Sequence, residues 1–150
     1  MRLELIWAIV SSIAIGFAIG ISGFTFVYAK GGSYLRDQPE ACANCHVMRE
    51  QFDSWVRSSH RKAAVCNDCH TPKGVAGKYL NKFLNGLRHS WAFTTGRFHE
   101  PITIKSHNRA ITESRCRDCH AEIVDAIDTQ HRPGAGLECI GCHGPVGHPG

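Results

Sequence analysis

Four times along this chain two cysteines stand three positions apart, with a histidine directly after the second. The four sets are Cys42-Ala-Asn-Cys45-His46, Cys66-Asn-Asp-Cys69-His70, Cys116-Arg-Asp-Cys119-His120 and Cys139-Ile-Gly-Cys142-His143. They use all eight cysteines of the chain. Paired cysteines alone would suit disulfides or a four-cysteine zinc site. Neither chemistry requires a histidine after every pair, and only 10 histidines are spread over 150 residues. Cys-x-x-Cys-His is the attachment signature of c-type haem: two thiols bond the vinyl groups and the adjacent imidazole reaches the iron. Four motifs therefore predict four covalently bound haem c groups. The attachment residues are Cys42, Cys45, Cys66, Cys69, Cys116, Cys119, Cys139 and Cys142, and the candidate iron ligands are His46, His70, His120 and His143.

Haem attachment also governs how the charge is read. The formal net charge is +4, but four haems bring roughly eight propionate charges and reverse the sign. No nucleic-acid partner is expected. The basic residues from Arg57 to Arg88 (Arg57, Arg61, Lys62, Lys73, Lys78, Lys82 and Arg88) face a single acid, Asp68.

From Leu5 to Ala29 no residue is charged, and a helix of that length crosses a hydrocarbon core, which needs about 20 residues. Val27-Tyr28-Ala29 resembles a signal-cleavage site, but signal h-regions run only roughly 7–15 residues. The stretch reads as a retained anchor. Residues 1–30 are taken as a cytoplasmic tip and transmembrane helix, and 31–150 as a periplasmic tetrahaem domain. The orientation follows from haem attachment on the outer side of the bacterial inner membrane. Ala8, Ser12, Gly16 and Gly20 recur every four residues and form a small-residue face of the kind that lets helices pair.

Beyond Lys30 the expected fold class is mainly α with much irregular structure. Short helices are predicted over Arg49–Ser58, Gly77–Phe93, Ile111–Cys116 and Ala121–Thr129, with no convincing strand. Thr94 to Asn108 reads as loop or extended chain, and Arg132 to Gly150, rich in Gly and Pro, cannot hold a long helix. So small a polypeptide has a poor core of its own, so the fold is expected to wrap its haems.

Each iron has a second face. His60, His89, His99, His107, His131 and His148 are the remaining candidates, with His60 and His148 placed to reach haems other than their neighbours. In the first motif Met48 follows two residues after His46. One short turn cannot send both to opposite faces of one iron, so they are alternatives, and a thioether ligand would raise the potential.

The single span, the four motifs, the Met after the first and the terminal Gly147-His148 together resemble the small subunit of cytochrome c nitrite reductase, within the tetrahaem and pentahaem quinol dehydrogenases. Asn85-Gly86-Leu87-Arg88-His89-Ser90-Trp91-Ala92-Phe93-Thr94-Thr95-Gly96 and Glu100-Pro101-Ile102 are particularly similar. The resemblance implies a subunit that oxidises menaquinol at the inner membrane and feeds a periplasmic pentahaem nitrite reductase, with small subunits paired in the complex. It implies Met48 in place of His46 on the first haem, His60 on the fourth and His148 on the third. It also implies a lysine of the catalytic partner on the second haem. A lysine and, seven residues on, an aspartate belong to the quinol pocket; Lys82 fits the first, while His89 stands in the second position.

Read as a helix, Lys78 to Phe93 places Tyr79, Leu80, Phe83, Leu84, Leu87 and Trp91 on one apolar face. Lys78, Lys82 and His89 line another side. That combination suits a helix at a membrane interface; the ordinary alternative is a core helix with a basic outer face. Lys82 would donate to the quinol oxygen and His89, titrating near neutral pH, would accept a proton. The rival readings are a related quinol dehydrogenase feeding nitrate or trimethylamine oxide reductase, a self-sufficient multihaem reductase, and a passive electron wire. A self-sufficient nitrite reductase would carry Cys-x-x-Cys-Lys, and the chain has none.

Overall fold

The computed structural model describes residues 2–130 and 138–148; His131 lies outside the described residues. The chain divides into two units, residues 1–34 and 35–150.

The first unit is one long helix, α1, Arg2–Tyr28, followed by a short 3-10 turn over Gly31–Leu35. α1 is long and apolar enough to cross a membrane. Ser12 returns its hydroxyl to the Ala8 carbonyl at 2.8 Å, which satisfies a polar group that lipid would leave unpaired. Gly16 and Gly20 sit in a shallow apolar groove with Phe17, Ile21 and Phe24.

The second unit is a set of short helices strung between the cysteine motifs. In order they are α2, Pro39–Cys42; α3, Arg49–Arg57; α4, Cys66–His70; α5, Val75–Thr95; α6, Ser106–Cys119; α7, Ala121–Gln130; and α8, Cys139–Cys142. Among the described residues there is no strand, and the mainly helical expectation holds. α6 is longer than the predicted Ile111–Cys116 because tertiary contacts extend it. Asn108 and Asn85 exchange amide hydrogen bonds at 3.1 and 3.2 Å, pinning the first turn of α6 to α5. The loop between these helices is correspondingly shorter than predicted. α5 runs to Thr95 and stops at Gly96, whose φ of +66° is the left-handed conformation a glycine adopts without strain.

What holds this unit together is polar. Among the described residues no large hydrophobic side chain is buried; those buried are Pro39, Asn67, Thr71, Asn81 and Lys82. α4 packs on α6, where Arg115 donates to the Asp68 carbonyl at 2.7 Å and Lys73 pairs with Asp118 at 3.0 Å. Glu113 accepts the backbone N–H groups of Cys139 and Ile140, both at 2.8 Å, and so ties α6 to the start of α8. These contacts join one cysteine motif to the next.

α5 reverses the usual helix pattern. Its interior side carries Asn81 and Lys82, while Leu80, Phe83, Leu87 and Trp91 are each more than half exposed. Lys82 is thus inside and these apolar side chains are outside. Burial of Lys82 is permitted because an acid and a carbonyl meet it there.

Candidate functional site

Three of the four motifs occupy a continuous helical turn: Cys66 to Cys69 in α4, Cys116 to Cys119 in α6 and Cys139 to Cys142 in α8. Residues three apart on a helix share a face, so one turn points both thiols the same way and delivers the histidine at its end. The first motif is built differently. α2 ends at Cys42, and Cys45 is extended (φ −81°, ψ 117°) at the head of a 3-10 turn over His46–Met48. In a 3-10 turn residues two apart point about 240° apart, so His46 and Met48 face different ways. His46 is exposed and Met48 is half-buried. No two of the eight cysteines are joined as a disulfide, and among the described residues no three His, Cys, Asp or Glu side chains converge as a metal site.

Two histidine pairs cross between motifs. The rings of His60 and His120 have centroids 6.1 Å apart, and those of His70 and His148 have centroids 5.8 Å apart with planes inclined by 12°. An iron held between two imidazole nitrogens, each roughly 2.0 Å away, sets ring centres roughly 6 Å apart. Both pairs match that separation. Burial first, and then the neighbouring His148, push the His70 imidazole down to about 4, which keeps it in the neutral form a metal binds. The residues therefore fit haem: paired thiols on one turn, facing imidazoles, and an interior short of apolar side chains. The structure sets His60 against the third motif and His148 against the second. The 3-10 turn at Gly144–Val146, directly after the fourth motif, brings the chain end back to α4. His99 and His107 are exposed.

A third cluster surrounds Lys82. Its side chain is only 7% exposed, and its ammonium donates to the Arg36 carbonyl at 2.7 Å and to Asp37 Oδ1 at 3.0 Å. Lys78 donates to Asp37 Oδ2 at 2.6 Å, and Asn67 Nδ2 to Asp37 Oδ1 at 2.7 Å. Both lysines lie against the Tyr79 ring, at 5.9 and 5.8 Å from its centroid. The Lys78 ammonium, and then Lys82, hold the Asp37 carboxyl down at about 2. The sequence pattern singles out Lys78 and Lys82 but not Asp37, which lies 41 and 45 residues before them. His89, two turns beyond Lys82 on α5, is exposed as a residue, and desolvation of its imidazole lowers its pKa.

A profile of the NapC/NirT cytochrome c family, N-terminal region, matches residues 3–150. The chain belongs to the NapC/NirT cytochrome c family. Among its relatives is the cytochrome c-type protein NrfH of Wolinella succinogenes, 35% identical over 93% of this chain and 86% of that protein. A tetrahaem cytochrome c-type protein of Allochromatium vinosum is 26% identical over 85% of this chain and 83% of its own length. The cytochrome c-type protein TorC of Escherichia coli K12 is 25% identical over 95% of this chain but only 42% of TorC. Among solved structures, the cytochrome c nitrite reductase NrfHA complex bound to the HQNO inhibitor is similar, with TM-score 0.65 at 25% identity. The match covers 91% of this chain and 90% of that one.

As a NapC/NirT cytochrome, this is a multihaem c-type electron-transfer protein, and α1 is its membrane-anchor helix. The recognition made from the motifs and the Met after the first of them is thereby confirmed. The short chain matches NrfH over nearly its whole length, whereas TorC extends well beyond the match.

Proposed function

We propose that this NapC/NirT cytochrome oxidises menaquinol at the inner membrane and hands the electrons to a periplasmic pentahaem nitrite reductase. The likeness to NrfH along nearly the whole chain carries this reading, and the likeness to the NrfHA complex supports it. When bound, four haems c accept and pass single electrons. The chain's own residues supply the rest. Lys82, held as a charged donor, hydrogen-bonds the quinol oxygen. His89, kept below its usual pKa by desolvation, takes up a proton as the neutral imidazole. The outward apolar side of α5 gives a lipid-soluble donor an apolar surface to approach. The haem domain lies on the periplasmic side and the N-terminus inside. Purification of the full chain from membranes should bring the multihaem reductase with it, and a menaquinol analogue should drive nitrite reduction by that complex. Co-purification with a nitrate or trimethylamine oxide reductase would select the rival reading suggested by TorC.

In this proposal Met48, not His46, ligates the first haem, because Met48 is half-buried and His46 is exposed. His60 is the second ligand of the third-motif haem and His148 of the second-motif haem. Met48→Leu should alter the spectrum of one haem and leave three unchanged, whereas an unchanged spectrum would return the iron to His46. His148→Ala should turn one low-spin haem high-spin in the isolated chain. If the second-motif haem is low-spin only in the complex, a lysine of the catalytic partner is its ligand, as the resemblance implied.

The groove around Gly16 and Gly20 is proposed to pair α1 with that of a second copy. A Cβ at either glycine meets nothing within 4 Å of its own chain, so leucine there tests pairing without disturbing the helix. Gly16→Leu with Gly20→Leu should shift the detergent-solubilised chain to a smaller species. Unchanged assembly would assign the dimer to the haem domains or to the partner.

A further inference from the structure

Lys82 is an ammonium almost wholly removed from solvent, and such a charge is tolerated only when paired and hydrogen-bonded. Its pairing comes from the chain just ahead of the first motif. Arg36 offers a carbonyl at 2.7 Å and Asp37 a carboxylate oxygen at 3.0 Å. Asp37 is itself held on both oxygens, Oδ1 by Lys82 and Asn67 and Oδ2 by Lys78. Its side chain remains 51% exposed, so the cluster borders solvent on the acid's side. Two of the three N–H groups of Lys82 are spent on Arg36 and Asp37, which leaves one for a ligand oxygen.

We infer that Asp37 is a positioning residue of the quinol site: its carboxylate holds the Lys82 ammonium in place as the donor to the quinol oxygen. The inference rests on the quinol reading above. A direct role as proton acceptor is the competing assignment, and magnitudes decide against it. A phenolic oxygen titrates near roughly 10, whereas the two lysines hold Asp37 at about 2. Proton transfer between them is strongly uphill. An acid that stays ionised at every physiological pH is suited instead to balancing and aiming a cation. Lys78, Tyr79, Asp68, Glu40 and the Cys42 sulfur are the other titratable groups acting there, and among the described residues Lys82 has no second carboxylate within hydrogen-bond reach.

The test uses the full-length, haem-loaded protein in detergent with a soluble menaquinol analogue, turnover being counted per folded holoprotein. Asp37→Asn should lower kcat roughly tenfold with a smaller change in KM. Asp37→Glu keeps the charge and should restore kcat to near its wild-type value. Reduction by dithionite should be unchanged in both variants. Wild-type quinol turnover per holoprotein in Asp37→Asn, with Lys82→Ala impaired, would overturn the inference and leave the quinol site standing. Wild-type turnover in both would remove the site itself. If Asp37→Asn yields no holoprotein, Asp37→Glu decides: a kcat lowered as far as in Lys78→Ala would overturn the inference, and a kcat near wild type supports it.

Discussion

Produced without haem attachment, with the eight motif cysteines replaced by serine, residues 35–150 are expected to be unfolded. Ordering a chain costs about 1–2 kcal/mol per residue in backbone entropy. Burial of large apolar side chains, at about 1.5–3 kcal/mol each, normally offsets that cost. Here no described large hydrophobic side chain is buried, so the polypeptide has almost nothing to set against it. Hydrogen bonds such as those from Cys139 and Ile140 to Glu113 contribute only about 1 kcal/mol each. The haems must supply the apolar interior. Limited proteolysis in detergent should degrade everything after residue 34 while α1 survives, and the wild-type holoprotein should resist. A protease-resistant haem-free domain would show that the polypeptide carries a core of its own. The expected change is from fully folded to fully unfolded.

Lys82→Ala should cut quinol-driven turnover about a hundredfold, the usual cost of deleting one charged donor from a reacting oxygen. His89→Ala should cost at least about tenfold, as for loss of a general base. In both variants reduction by a small artificial donor, haem content and the reduced spectrum should stay as in wild type. The Lys82 variant also strands the Arg36 carbonyl and the Asp37 carboxylate, so turnover must be counted per holoprotein. The two losses separate by pH. A His89 base with a lowered pKa is neutral through the physiological range and becomes protonated only on acidification. Wild-type activity should therefore fall on the acid side below the usual histidine range, and His89→Ala should abolish that dependence. Wild-type quinol oxidation in both variants would place the site elsewhere on the molecule.

Much of this molecule was legible in its sequence because its chemistry is local. Two thiols and an imidazole within five residues specify haem attachment wherever the chain later goes. An uncharged run of 25 residues specifies a helix fit for lipid in the same way. The helices Arg49–Arg57 and Val75–Thr95 follow from their own side-chain pattern, the second with its stop at Gly96. The resemblance of the motifs, with Met48 after the first, was enough to name the family.

What only the tertiary structure decided are pairings between distant residues. That His60 faces His120 and His148 faces His70 depends on how four tethered turns stack, and nothing near either histidine encodes its partner. That Lys82 points inward, against the ordinary rule for a lysine, depends on an aspartate 45 residues earlier. Helical period correctly separated the apolar side of α5 from its basic side, but period assigns faces relative to one another, not to the interior. In most small proteins hydrophobic burial settles which side goes in. Here the described interior is a polar cluster, so that inference from pattern fails, and the position of Asp37 supplies the missing physical reason.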